Sequence, residues 1–279
     1  MPVHPLFYYE VVMKDCVIGG CYGYNYDQIK IWINSINRSG FVGDKVLVLF
    51  DASEELVQKV KEQDFKVVEV EMPSNVSPHV MRFAAISDYL SEHDYRFVVT
   101  TDVRDVIFQK NPIPFLELHL QTRNLVASSE CLRYKDEPWG NQNLMETFGP
   151  YIYEKYNNNI IYNVGVLGGR GNFIRDLCLD IAIHSMNRPI KICDQAVFNF
   201  MMHSQFYKSN TVLMPMSQGW ATHLGTVADP RKMDYFRPNL LEPEPEFKNN
   251  IVSAENTEVC FIHQYDRTIW KEKLEELYS

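Results

Sequence analysis

Two carboxylates, Asp102 and Asp105, stand between an apolar run that ends at Thr101 and a second one, Val106-Ile107-Phe108, that stops before Pro112. Strand-forming residues bring the chain out of a core at this point. Acidic groups follow where a buried parallel strand would reach its open carboxyl edge. Oxygen donors in that place suit a hard divalent cation, magnesium or manganese, whose octahedral shell is completed by water and by substrate phosphates. Residues two apart share a face of a strand, whereas residues three apart do not. Asp102 and Asp105 therefore meet one ion only if the chain bends between them, with Asp102 at the strand end and Asp105 in the turn. The competing reading is a solvated turn in which Asp105 pairs with Arg104 or Arg96. Farther along, an apolar run from Val259 delivers His263, which by itself reads as a hydrogen-bonded core residue.

Alternating strands and helices are needed to hold such a site. Segments 14–20, 45–50, 65–71 and 96–102 read as strands, and 27–36, 53–63 and 80–92 carry helical spacing. Strands joined through helices imply βαβ crossovers and a mostly parallel sheet, which binds ligands beyond its carboxyl ends. Loop 20–26, Asp51 and Asp102 each follow a strand and are expected to line one crevice. The second half is less regular. Strands are expected at 125–130 and 162–169, the latter carrying Asn163 and glycines where backbone can approach a ligand closely. Helices are expected at 172–187, after a cap near Asp194, and at 270–278.

Composition narrows the class. Against 36 acidic residues stand 27 basic ones, which argues against a general nucleic-acid surface. An anionic ligand must then be met by local Arg, Lys, metal or backbone N–H groups. No linker, low-complexity run or internal repeat divides the chain. One domain over 1–279 is expected, regular over about 1–112 and less regular over about 113–279. The start, Met1-Pro-Val-His-Pro-Leu-Phe7, lacks the pattern of a signal peptide, and no stretch approaches the length of a transmembrane segment. The six cysteines are scattered without zinc-type spacing and read as reduced core residues of a cytoplasmic protein, which makes the sequons at Asn37 and Asn75 chance matches.

Four landmarks occur in order: Thr101-Asp-Val-Arg-Asp-Val-Ile-Phe108, Asn163-Val-Gly-Val-Leu-Gly-Gly169, Asp194-Gln195 and Phe261-Ile-His-Gln-Tyr-Asp-Arg267. As an ordered set spanning most of the chain they resemble nucleotide-sugar glycosyltransferases of the GT-A fold. The two-carboxylate motif is most similar to a branch of small GT-A enzymes from large algal viruses. The resemblance implies an α/β, Rossmann-like, mostly parallel central sheet flanked by helices, with a less regular acceptor side. It also implies a UDP-sugar donor, xylose ahead of glucose and galactose, an oligosaccharide or glycoprotein glycan acceptor, and Mn2+ or Mg2+. In glycogenin-like members the last acidic residue of an Asp-x-Asp motif and a C-terminal histidine bind manganese under the donor diphosphate. These roles fall on Asp105 and His263. Val103 stands where that motif has its first aspartate, so Asp102 is expected to face the ribose or to meet the metal through water.

The remaining roles follow from the same resemblance. Tyr22, Gly23, Tyr24 and Asn25 frame the uracil, or simply pack, and Asp51 accepts from the base or ribose. Arg82 contacts phosphate or ribose, or else pairs with Asp88 or Glu92. Asn163 and Gly165 shape the donor pocket. An inverting enzyme needs a base for the acceptor hydroxyl, Asp194 or Glu130, whereas a retaining one places a carboxylate or amide beneath the sugar. Asp194 otherwise reads as a helix cap, and Glu130 as a partner of Arg133 or Lys135. Asp136, Glu137, Trp139 and Trp220 are expected on the acceptor side. Two other functions stay open: a noncatalytic nucleotide-sugar or glycan-binding module, and a phosphohydrolase with Asp102 as nucleophile.

Overall fold

The computed structural model describes residues 13–279, so the reading of residues 1–7 concerns a stretch outside the described residues. Strands β1 (Cys16–Tyr22), β2 (Asp44–Phe50), β3 (Lys66–Val70) and β4 (Phe97–Thr101) alternate with helices α1 (Tyr26–Arg38), α2 (Glu54–Lys61) and α3 (Pro78–Ser91). Each helix begins at a side-chain cap that relieves its orphan N–H groups. Asn25 and Gln28 cap α1 reciprocally, Ser53 caps α2, and Ser77 caps α3 ahead of Pro78. The strands pair in parallel, β3 with β2, β2 with β1, and β1 with β4.

Beyond β4 the chain forms β5 (Val106–Phe108), α4 (Ile113–His119), β6 (Leu125–Arg133), α5 (Pro138–Phe148), α6 (Pro150–Tyr156), β7 (Ile160–Tyr162) and β8 (Val166–Arg170). Helices α7 (Gly171–Ser185), α8 (Asp194–Met201) and α9 (Gln205–Asn210) lead to β9 (Thr211–Met214) and β10 (Ala221–His223). Short helices α10 (Leu224–Val227) and α11 (Met233–Phe236) follow, then a hairpin-like sheet of β11 (Glu246–Lys248), β12 (Ile251–Ala254) and β13 (Thr257–Glu258). Strand β14 (Phe261–His263) and helix α12 (Lys271–Tyr278) close the chain.

The main sheet runs β3-β2-β1-β4-β8-β6-β7, with β9 beside β6. The expected α/β class and mostly parallel sheet hold. Two reversals were not foreseen: β8 lies antiparallel between β4 and β6, and β7 pairs antiparallel with β6. The expected strand at 162–169 is also broken in two, because Asn163 to Gly165 leave the ladder to form a turn. A second, small sheet, β10-β14-β5, carries the chain that follows Asp105 alongside the one that ends in His263.

Strand periodicity explains the continuous apolar runs. Ile18, Val46, Val48 and Val98 face α3, α7 and α8, while the alternate residues Val17, Leu47, Leu49 and Val99 face Trp32, Ile33 and Ile36 of α1. Both faces are covered, so neither can be polar. All six cysteines are buried and free, and no helix among the described residues is long and apolar enough to cross a membrane.

Candidate active site

The carboxyl ends of β1 and β4, the start of α8 and the small sheet border a cavity of about 670 Å³. The end of β4 is fixed from two sides. Trp32 Nε1 donates to Thr101 Oγ1 at 2.8 Å, and the Asp102 N–H donates to the Gly165 carbonyl at 2.8 Å. The chain then turns out of the main sheet, the Asp105 carbonyl accepts from the Gln264 N–H at 2.7 Å, and β5 pairs with β14 so that Val106 stands opposite His263. A turn thus resolves the three-residue spacing.

Asp102, Asp105 and His263 each offer a ligand atom, all within 4.8 Å of one another. His263 Nε2 lies 3.4 Å from Asp102 Oδ2 and 3.8 Å from Asp105 Oδ1. It is buried with no hydrogen-bond partner. Buried nitrogens are rarely left so. A divalent cation among the three would satisfy the nitrogen and neutralise two adjacent carboxylates. Their donor set, two carboxylates and one imidazole, suits a divalent metal ion. Burial holds the His263 imidazole below its ordinary pKa, against the opposing pull of Asp105, so the ring is neutral and keeps a lone pair to give.

Asp102 divides its two oxygens. While Oδ2 faces His263, Oδ1 is paired with Arg82 Nη1, and Arg82 Nη2 reaches Asp194 Oδ2 at 3.2 Å. Arg82 is therefore a buried bridge between β4 and α8, and it pairs with neither Asp88 nor Glu92. It reaches inward because Gly20 has no side chain: a Cβ there would stand 2.7 Å from the Arg82 Cβ. Gly165 is the floor of the carboxylate cluster. A Cβ on it would lie 2.6 Å from Asp102 Oδ2 and 2.9 Å from His263 Cε1. Gly165→Ala is expected to weaken manganese binding at least about tenfold while leaving the circular dichroism spectrum intact. Calorimetric titration with manganese checks this; unchanged affinity would mean the floor has room to spare.

Glu130 lies deep in the same cavity, where its Oε1 accepts from Asn163 Nδ2 at 2.6 Å and no Arg133 or Lys135 ion pair forms. Burial raises its pKa, partly opposed by the Asn163 hydrogen bond. A carboxyl group whose folded pKa is raised contributes its full stability below the unfolded pKa, about 4.3, and loses it as pH rises through the folded value. Glu130→Gln is accordingly expected to melt above the parent protein at pH 8, with the difference vanishing toward pH 4. Metal-free melting curves across that range test it, and a pH-independent difference would contradict the assignment.

The other expected site residues divide. Tyr22, Tyr24, Asn163, Asp194, Glu137 and Trp139 line the cavity. Gly23 and Asn25 do not: Gly23 takes a left-handed turn at φ 70° and Asn25 caps α1. Asp51 does not join the crevice either, because its carboxylate turns aside to accept the Met72 N–H at 3.0 Å. Asp194 is the first residue of α8 and not its cap, a position held by Cys193. Trp220 is fully buried and offers no platform, whereas Trp139 is 51% exposed. Asp136 lies outside the lining, and Arg96 pairs with Asp15 and Glu117 rather than Asp105. Arg104 does approach Asp105, at 3.4 Å.

Gln195, Lys232 and Arg267 also line the cavity, and of these only Lys232 belonged to no sequence landmark. His223 was missed altogether. Its signal is visible in hindsight: Trp220-Ala-Thr-His223 ends as Phe261-Ile-His263 does, an apolar run closing on a histidine.

No family model and no curated protein matches the sequence. Among solved structures, the glycosyltransferase GlyE of Streptococcus pneumoniae TIGR4 is similar at a TM-score of 0.55 and 15% identity, over 95% of this chain and 60% of GlyE. Its apo form gives 0.52 at 15% identity, over 90% and 54%. The galactosyltransferase LgtC, solved with donor and acceptor sugar analogues, gives 0.55 at 13% identity, over 94% of this chain and 95% of LgtC. The fold is GT-A. This chain spans little more than half of GlyE but nearly all of LgtC. Within the GT-A frame, the cluster of Asp102, Asp105 and His263 lies where the parallel half of the sheet meets the small sheet.

Proposed function

We propose that this chain is a metal-dependent glycosyltransferase that moves a sugar from a UDP-sugar to a hydroxyl of a glycan. The observation that carries the reading is the unpartnered His263 Nε2 facing Asp102 and Asp105 in the cavity. When bound there, a manganese or magnesium ion supplies Lewis-acid stabilisation of the negative charge that develops on the leaving diphosphate. Asp105 and His263 would hold the ion, together with Asp102, one of whose oxygens is paired with Arg82.

The chain's own groups do the rest. Tyr22 and Tyr24, at the mouth of β1, stack against the uracil. Arg104, Lys232 and Arg267 bring positive charge to the diphosphate from three separate segments. Asn163 and Gly165 border the sugar. Asp194 is engaged by Arg82 and so serves to position it. Glu130, whose proton affinity is raised by burial, is the better acceptor for the hydroxyl proton. Trp139 and Glu137 flank the route by which a glycan enters.

Xylose, glucose and galactose nucleotides are the first donors to try, galactose gaining support from the likeness to LgtC. A panel of UDP- and GDP-sugars with mono- and disaccharide acceptors is expected to show manganese-dependent release of UDP. Glu130→Gln is expected to slow it about 100- to 10,000-fold. Binding of UDP without release from any donor would favour the noncatalytic module, and phosphate release from simple monoesters would favour the phosphohydrolase.

A further inference from the structure

His263 does not stand alone. Strands β10 and β14 run parallel in a register that sets His223 directly beside it. The two Nδ1 atoms are 3.0 Å apart, with the rings nearly perpendicular at 88°. On its far side His223 Nε2 lies 2.8 Å from Ser128 Oγ on β6. All three side chains are buried, His223 at 1%, His263 at 2% and Ser128 at 0% exposure, so the line is shielded from bulk solvent.

A nitrogen-to-nitrogen hydrogen bond needs one N–H and one lone pair, so the protons along this line are not independent. One self-consistent arrangement puts a proton on His263 Nδ1, which donates to His223 Nδ1, while His223 Nε2–H donates to Ser128. Nε2 of His263 is then a lone pair aimed at the carboxylates. The opposite arrangement puts the proton on His263 Nε2, toward Asp102 and Asp105, and has Ser128 donate back to His223. Only the first can ligate a cation.

We propose that His223 is a positioning residue for the cation site: it accepts from His263 Nδ1–H and fixes both the tautomer and the ring plane that present Nε2 to the ion. The proposal rests on the metal reading above. Metal-bound histidines commonly donate their second N–H to a carboxylate, carbonyl or water, and losing that partner typically weakens metal binding 10- to 100-fold. Here a second histidine, itself anchored by a serine, takes that place.

The test uses the full chain and manganese alone, titrated by calorimetry. His223→Phe keeps an aromatic ring but removes the acceptor, and is expected to weaken manganese binding about 10- to 100-fold. His223→Gln restores an acceptor and is expected to recover most of the affinity. Nitrogen-15 spectra of the magnesium-loaded parent protein need no substitution. They are expected to show His263 protonated at Nδ1 and His223 at Nε2. Parent-like manganese affinity in a folded His223→Phe protein, or a proton on His263 Nε2 with magnesium bound, would overturn the proposal. A parent protein that binds no manganese would instead overturn the metal reading on which it rests.

Discussion

Asp105→Ala is expected to abolish the gain in melting temperature that manganese and UDP give the parent protein, and to lower turnover about 1,000-fold. The size follows from the role. A cation that stabilises a leaving phosphate is worth several kcal/mol in the transition state, and each 1.36 kcal/mol is tenfold in rate. Asp105 is buried and its Oδ1 faces His263 Nε2 at 3.8 Å, while the neighbouring carboxylate, Asp102, is already engaged by Arg82. The metal-free protein should keep its melting temperature or gain slightly, because two neighbouring carboxylates become one. Thermal melts with and without manganese, together with a UDP-release assay, read both effects. Persistence of the manganese-dependent gain in the variant would remove Asp105 from the site.

Arg82→Met should give the largest loss of stability of any single change in the cavity, about 2–4 kcal/mol. Removing the guanidinium leaves Asp194, which is 4% exposed, without its buried counter-charge, and sets Asp102 free across from it. The Asp102 side chain is 31% exposed, so solvent screens its arm of the bridge and the Asp194 arm carries most of the effect. Adding Asp194→Asn should therefore recover much of the loss, a coupling that a double-mutant cycle measures directly. Urea unfolding of the four proteins tests this. If Arg82→Met lay within about 1 kcal/mol of the parent, the bridge would be incidental to the fold.

The contrast between these two substitutions marks what the sequence could and could not reveal. Strands β1, β2 and β4 were legible because helices cover both faces and force unbroken apolar runs. The turn between Asp102 and Asp105 was legible because their spacing excludes a shared strand face. Strand β8 was not. It enters the sheet antiparallel after Asn163, whose Oδ1 accepts the Gly165 N–H at 2.7 Å and breaks what reads as one strand. The Arg82 bridge was invisible because its partners lie on β4 and α8, and only tertiary packing around Gly20 brings them together. The pairing of His223 with His263 depends likewise on the register of two short strands 40 residues apart. Asp51 and Trp220 failed as site residues for a simpler reason: residue type and strand position do not say which way a side chain turns.

The most direct test of the central claim is calorimetric titration of UDP into the protein with manganese and again with EDTA. Binding of UDP that requires manganese, and that disappears in Asp105→Ala, is the result expected from a cation held by Asp102, Asp105 and His263 beneath the donor diphosphate. Equal UDP affinity with manganese and with EDTA would contradict it.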